Sequence, residues 1–201
     1  MLCMPPNDDA PTASEAYARR LGGTARWKRV LDVQLPYRWN LRRQDLGRTL
    51  DVGCGVGRNL ANLPPGSVGV DHNDLSVALA VERGLDARTS AQWAGSPEPH
   101  GSFDSLLVAH VVEHLQPAEA RDVVAGYLPF LRPGGRVMFI CPQERGYASD
   151  ATHVTWTTGD DLAALARDLG LEPEPWFSFP LPRRTGRVFT YNEFCLLARK
   201  S

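Results

Sequence analysis

Short continuous apolar runs recur along this chain, separated by stretches whose apolar positions fall three or four residues apart. TLDVG at 49–53, SVGVD at 67–71, an extended piece near Leu85–Arg88, FDSLLVAH at 103–110 and RVMFIC at 136–141 are predicted strands. EPWFSFP and NEFCLLAR, near the C-terminal end, supply two more. Between them the pattern predicts helices over Gly57–Leu63, Leu75–Arg83 and Pro117–Leu131, and from Thr158 through Leu169. Asp160 and Asp161 suit the positive end of that last helix. Ahead of the first strand, residues 1–12 read as a loose polar tail, and Thr12–Glu15 as a capping box opening a helix that ends at Gly22–Gly23. Residues 26–35 form a second helical stretch stopped near Pro36, and PYRWNLRR leads into the first strand. Buried runs alternating with helices predict an α/β fold: a seven-stranded, mostly parallel sheet with helices on both faces.

Composition bounds this picture without redirecting it. At 201 residues the chain suits a single domain, expected over 13–201. Its hydrophobic share of 43% and charged share of 22% are ordinary for a globular protein. A formal net charge of −1 offers no field toward nucleic acid or a membrane surface, so neither is an expected partner. No apolar run approaches the ~18 residues a spanning helix needs. The opening MLCMPPNDDAPTA has neither a basic nor an apolar leader pattern. Cys3, Cys54, Cys141 and Cys195 are scattered and read as free thiols of a reducing cytoplasm, the expected location.

The first chemistry lies in LDVGCGVGRNL, where Gly53, Gly55 and Gly57 follow a strand. Glycines there let the backbone turn sharply and let a ligand lie against it. Their GxGxG spacing differs from the GxGxxG of pyrophosphate-binding turns, and Asp51 before the loop suits a cationic amino group better than a phosphate. Asp71 closes the second strand, where an acid can accept both hydroxyls of a ribose. A structural turn or a dinucleotide site would use the same loop. From about Arg48 to Ile140, including LRPGGRVMFI, the chain resembles the Rossmann-like class I S-adenosylmethionine-dependent methyltransferases. The resemblance implies that Asp51, Gly53 and Gly55 line the methionine part of the donor and that Asp71 holds its ribose. It places Ser90 and Ala91 at the adenine, though the family's frequent Asp is missing there. His72 borders the adenosine on this reading, with Ala109 and Arg38 as further donor contacts.

The second chemistry lies in AHVVEHL at 109–115. On a helix, His110, Glu113 and His114 would share one face, and His153 heads a later loop. Two or three imidazoles and a carboxylate make a divalent-metal ligand set: His110, Glu113, His114 and His153. HVVEH, with DATHV at 150–154, resembles two groups of metal-dependent O-methyltransferases. One acts on the 2′-hydroxyl at the 3′ end of small RNAs, the other on catechol-like hydroxyls in ubiquinone biosynthesis. Both typically carry Glu where this chain has His110. The whole chain is also similar to sugar O-methyltransferases of bacterial polysaccharide pathways. These resemblances imply Mg²⁺ first, with Mn²⁺ or Zn²⁺ as alternatives.

An alcohol with a pKa near that of water, ~15.7, is a poor nucleophile at neutral pH, and a bound cation lowers that pKa and fixes the oxygen. His153, Asp150 and His110 are the candidate proton acceptors. Against this stands a plain reading, in which Glu113 and His114 form an ion pair at a helix start and His110 is a donor contact. The expected acceptor is a small diol, with a carbohydrate leading because no RNA-binding signature and no apolar membrane helix is visible. The rivals are a metal-independent methyltransferase with a His base, a quinone-precursor or RNA-end enzyme, and a donor-binding protein without turnover.

Overall fold

A computed structural model describes residues 35–95 and 98–201. The expected tail over 1–12, the helix after Thr12, the helix over 26–35 up to its last residue, and Cys3 lie outside them. The described residues fall into two compact units, divided between Pro97 and Glu98.

In the first unit, α1 covers Leu35–Arg43, so PYRWNLRR, expected to lead into the first strand, is helical. Pro36 sits in the first turn, where a missing N–H costs nothing. Strands β1 (Thr49–Val52) and β2 (Val68–Asp71) pair in parallel, Leu50 opposite Val68 and Val52 opposite Val70. Every residue of both strands is buried, as their continuous apolar runs require. The expected helix over 57–63 is instead a series of turns ending in a 3₁₀ turn, Leu60–Asn62. Helix α2 (Asp74–Glu82) is capped by Asn73, whose Oδ1 accepts from Ser76 N at 2.9 Å. β3 (Ala87–Thr89) pairs in parallel with β2, and Thr89 opens the short α3 (Ser90–Ala94) through a capping box with Gln92. Cys54, Leu60, Val77, Ala80 and Ala87 form a buried cluster against which Leu63 and Leu85 pack.

The second unit opens with β4 (Phe103–Ala109), then α4 (Pro117–Tyr127), shorter than its predicted span because a 3₁₀ turn takes Leu128–Phe130. β5 (Leu131–Pro142) pairs in parallel with β4. A one-turn α5 (Glu144–Tyr147) follows, then α6 (Gly159–Asp168), opened as expected by Thr158, and β6 (Leu171–Pro173) and β7 (Phe177–Phe179). β8 (Glu193–Lys200) runs antiparallel to β5, β6 and β7. Leu106, Leu107, Met138, Phe139, Phe194 and Leu196 are fully buried along these strands. The seven expected strands are all present, and β6 makes eight among the described residues. No helix among them is long and apolar enough to cross a membrane.

Candidate functional site

The glycine loop is shaped by its φ angles. Gly53, Gly55 and Gly57 take φ of +75°, +53° and +76°, a left-handed backbone that side chains resist. The loop curls onto β2: Gly53 N and Cys54 N both donate to Val70 O, at 2.7 and 3.1 Å. β2 passes so close beneath that a Cβ on Gly69 would sit 2.7 Å from Cys54 Sγ and 2.8 Å from Leu60 Cδ2.

Asp71 ties the loop to its strand, its Oδ2 accepting from Gly55 N and its Oδ1 from Asn73 N, both at 2.8 Å. His72 Nδ1 lies 3.5 Å from the same Oδ1. Asp51, at the end of β1, is 1% exposed. Leu60 donates a backbone hydrogen bond to its carboxylate, yet Oδ2 is buried with no hydrogen-bond partner. Burial first, then the charge of Asp71, pushes its pKa up to about 7. A carboxylate left open in this way suits the ammonium group of an amino acid. Ser90 is buried at the start of α3, Ala91 beside it is exposed, and Arg38 lies half-buried on α1. Ala109 is buried at the end of β4 in the second unit.

The second unit assembles the histidines, though not on a helix. His110 leaves β4 with φ of +58°, its N–H donating to Ile140 O at 2.9 Å, and Val112–His114 form a single 3₁₀ turn. The loop carrying His153 is bonded to that turn: Val154 N and Thr155 N donate to Glu113 O at 2.9 and 3.1 Å, and Thr155 Oγ1 to Leu115 O at 2.6 Å.

One ligand atom each from Glu113, His114 and His153 then lies within 4.8 Å of the others. His153 Nδ1 donates to Tyr147 O at 2.8 Å and His114 Nδ1 to Thr152 O at 3.1 Å, which assigns the lone pair of each neutral ring to Nε2. Burial lowers the His114 pKa, favouring that neutral form. Asp150 Oδ1 accepts from Thr152 N and Oγ1, at 3.0 and 2.7 Å, and so holds the residue that holds His114. Tyr147 stacks on His153 with ring centroids 5.1 Å apart, and Trp156, 38% exposed, meets Tyr147 edge-on.

His110, expected as a fourth ligand, stands outside this group of three. Its Nδ1 faces Glu113 Oε1 at 3.2 Å and its Nε2 faces Glu193 Oε1 at 2.9 Å, so both nitrogens are spent on carboxylates. Loss of water around its ring nitrogens opposes its charge, but the hydrogen bonds and charges of Glu113 and Glu193 prevail and raise its pKa to about 10. An imidazolium already donating from both nitrogens does not accept a proton, which removes His110 as a base. Burial raises the pKa of Glu113 too, but His110 outweighs it and holds that carboxyl below the usual range.

Glu193 is the residue that sequence reasoning missed. Distant in sequence, on β8, it carries no motif that would have marked it. Gln143 and Asn192, both fully buried, fix that end of β8: Gln143 Nε2 donates to Glu193 O at 2.9 Å and Asn192 Nδ2 to Gln143 Oε1 at 2.9 Å. Between β7 and β8, Arg183 is committed to Glu144 by two hydrogen bonds of 2.8 and 2.7 Å and lies over the Phe194 ring. Arg184 and Arg187 are exposed.

Comparison with known proteins adds to these observations. Residues 50–139 match the methyltransferase domain family. Over 127 residues the chain is 31% identical to a trans-aconitate 2-methyltransferase of Mycobacterium tuberculosis, covering 61% of this chain and 47% of that one. The chain thus spans about half the length of that relative. A SAM-dependent methyltransferase from Archaeoglobus fulgidus superposes with a TM-score of 0.67 at 18% identity, over 86% of this chain and 97% of that one. Magnesium protoporphyrin IX methyltransferase from Synechocystis, with bound SAM, gives 0.62 at 18% identity over 94% and 93%. The fold is that of the class I, Rossmann-like SAM-dependent methyltransferases, and residues 50–139 carry the sequence pattern of their domain.

Proposed function

We propose that this protein transfers a methyl group from S-adenosylmethionine to a hydroxyl of a small diol, a carbohydrate first, and that a divalent cation is held by Glu113, His114 and His153. Donor use is supported by the glycine loop, by the unpartnered Asp51 Oδ2 and by the domain match over residues 50–139. Asp51 would face the donor's amino group, Gly53 and Gly55 would lie against its methionine part, and Asp71 would keep a lone pair on each oxygen for the ribose. His72, Ser90, Ala91, Ala109 and Arg38 are secondary donor contacts on this reading. S-Adenosylmethionine supplies a methyl carbon bonded to a positively charged sulfur.

One observation carries the cation site. Two imidazoles, each held through Nδ1 by a backbone carbonyl, come together with the buried Glu113 carboxylate, one ligand atom of each within 4.8 Å of the others. A divalent cation there would lower the pKa of an acceptor hydroxyl and orient it. Mixed imidazole and carboxylate donors suit Mn²⁺ or Zn²⁺ as well as Mg²⁺. In the transfer the acceptor oxygen forms the new bond to carbon, the carbon–sulfur bond breaks, and sulfur keeps the electron pair. Asp150 and His153 are the candidates to receive the hydroxyl proton. Tyr147 and Trp156 beside His153 offer aromatic faces to a sugar ring.

Labelled donor incubated with a panel of saccharides and other diols tests the reading. Methyl transfer that stops with EDTA and returns with Mg²⁺ or Mn²⁺ supports it; turnover indifferent to EDTA removes the cation. A second reading takes an acceptor that is already ionised, as the trans-aconitate 2-methyltransferase likeness suggests. A carboxylate needs no help in losing a proton at neutral pH, so transfer to acids without any cation would favour it.

A further inference from the structure

Two glutamates meet at His110. Glu113 Oε1 and Glu193 Oε1 each face one ring nitrogen, Glu113 Oε2 receives the Cys141 thiol at 3.4 Å, and Glu193 Oε2 has no partner. Both glutamates are more than nine-tenths buried, whereas the His110 side chain is 44% exposed. Glu113 is a proposed ligand, and Glu193 is not one of the group of three. His110 is thus a hydrogen-bonded link, at both ring nitrogens, between a ligand carboxylate and a second acidic side chain anchored on β8 by Gln143 and Asn192.

We propose that Glu193 is a positioning residue of the cation site. Acting through His110, it holds the Glu113 carboxylate in its ligating orientation. The inference rests on the cation reading above. A hydrogen bond to Glu113 Oε1 takes one lone pair and fixes the carboxylate plane, as outer-shell partners do at metal sites, and the contact of Glu193 with the far ring nitrogen fixes the imidazole that makes it.

Mn²⁺ binding to the full chain, without donor or acceptor, followed by calorimetry and electron paramagnetic resonance, tests this. Wild type should bind, with nitrogen couplings from two imidazoles. Glu193→Gln replaces the carboxylate contact that anchors the far nitrogen of His110 with a weaker amide one, and should weaken Mn²⁺ about tenfold or more. The two nitrogen couplings and the donor affinity should stay unchanged in that variant. Glu193→Asp should recover part of the loss. In a His110→Ala background, Glu193→Gln should lose most of its effect, because nothing then connects it to Glu113. Circular dichroism and melting of each variant separate these readings from misfolding. Wild-type Mn²⁺ affinity in Glu193→Gln, or an equal loss in both backgrounds, overturns the positioning role alone. Loss of a nitrogen coupling in His110→Ala makes His110 a ligand and overturns it too. A wild type that binds donor but no Mn²⁺, Mg²⁺ or Zn²⁺ overturns the cation reading and this inference together.

Discussion

Asp51→Asn should make the protein more stable and a worse binder of its donor, and the two effects share one cause. The carboxyl is 1% exposed and its pKa is pushed from 3.8 to about 7, chiefly by burial. At ~1.4 kcal/mol per pKa unit, the folded chain gives up about 4 kcal/mol when Asp51 is fully ionised. Below pH 4 folded and unfolded chains both carry the proton, so nothing is lost. Between pH 4 and 7 only the unfolded chain ionises, and stability falls as pH rises; above 7 both are ionised and the loss is constant. The Asn variant should therefore gain up to about 4 kcal/mol in urea unfolding at pH 8 and almost nothing at pH 4. Donor affinity behaves oppositely. An ammonium group prefers the ionised carboxylate, so wild-type affinity should rise with pH up to about 7, then level off until the donor's own amino group, near ~8, loses its proton. The variant should lose that dependence and about 2 kcal/mol of binding, roughly thirtyfold. An equal stability gain at pH 4 and pH 8, or donor affinity flat between pH 5 and 7, would refute the assignment of this carboxylate.

Three further substitutions probe other parts of the argument. Gly69→Ala places a Cβ 2.7 Å from Cys54 Sγ and should cost about 1–3 kcal/mol while displacing the glycine loop, read together by urea unfolding and donor calorimetry. Thr158→Ala removes the oxygen that accepts from Asp161 N at 3.3 Å and should cost about 1 kcal/mol of thermal stability with donor affinity unchanged. His114→Ala should abolish Mn²⁺ binding, as seen by calorimetry, and leave the donor dissociation constant where it was; full turnover in this variant would remove the site.

The sheet was legible because its strands are buried on both faces, and β1, β2, β4, β5 and β8 read as nearly unbroken apolar runs. β6 escaped notice: Leu-Glu-Pro is too short and too polar to stand out, and only pairing with Ala198–Lys200 of β8 makes it a strand. The helix expected after the glycine loop failed because that backbone stays in turns as far as Leu60. The meeting of Glu113, His114 and His153 was legible as residue types in two separate stretches. Spacing misplaced His110, because three- and four-residue intervals meet on a helix face only if the backbone is helical, and its φ of +58° breaks that condition. Glu193 was invisible for a different reason: its meaning depends on a partner brought to it by β-pairing, which no local pattern encodes.

Two of the buried carboxylates, Asp51 and Glu113, differ in a way that separates binding from folding. Asp51 reaches its ionised form against a folding cost, with an oxygen left for a ligand to satisfy. Glu113 is compensated within the chain by His110, so its charge needs no outside cation to be tolerated. Metal removal should therefore leave this protein folded, unlike a small domain built around a structural ion. Bound cation should add only mass-action stability, about 2.7 kcal/mol at a hundred times its dissociation constant. Thermal unfolding with EDTA and across a Mn²⁺ titration measures this directly. Collapse of the fold on chelation would mean that the His110 bridge does not supply the compensating charge; a melting point that climbs smoothly with the logarithm of free Mn²⁺ is the result expected from Glu113 as it stands.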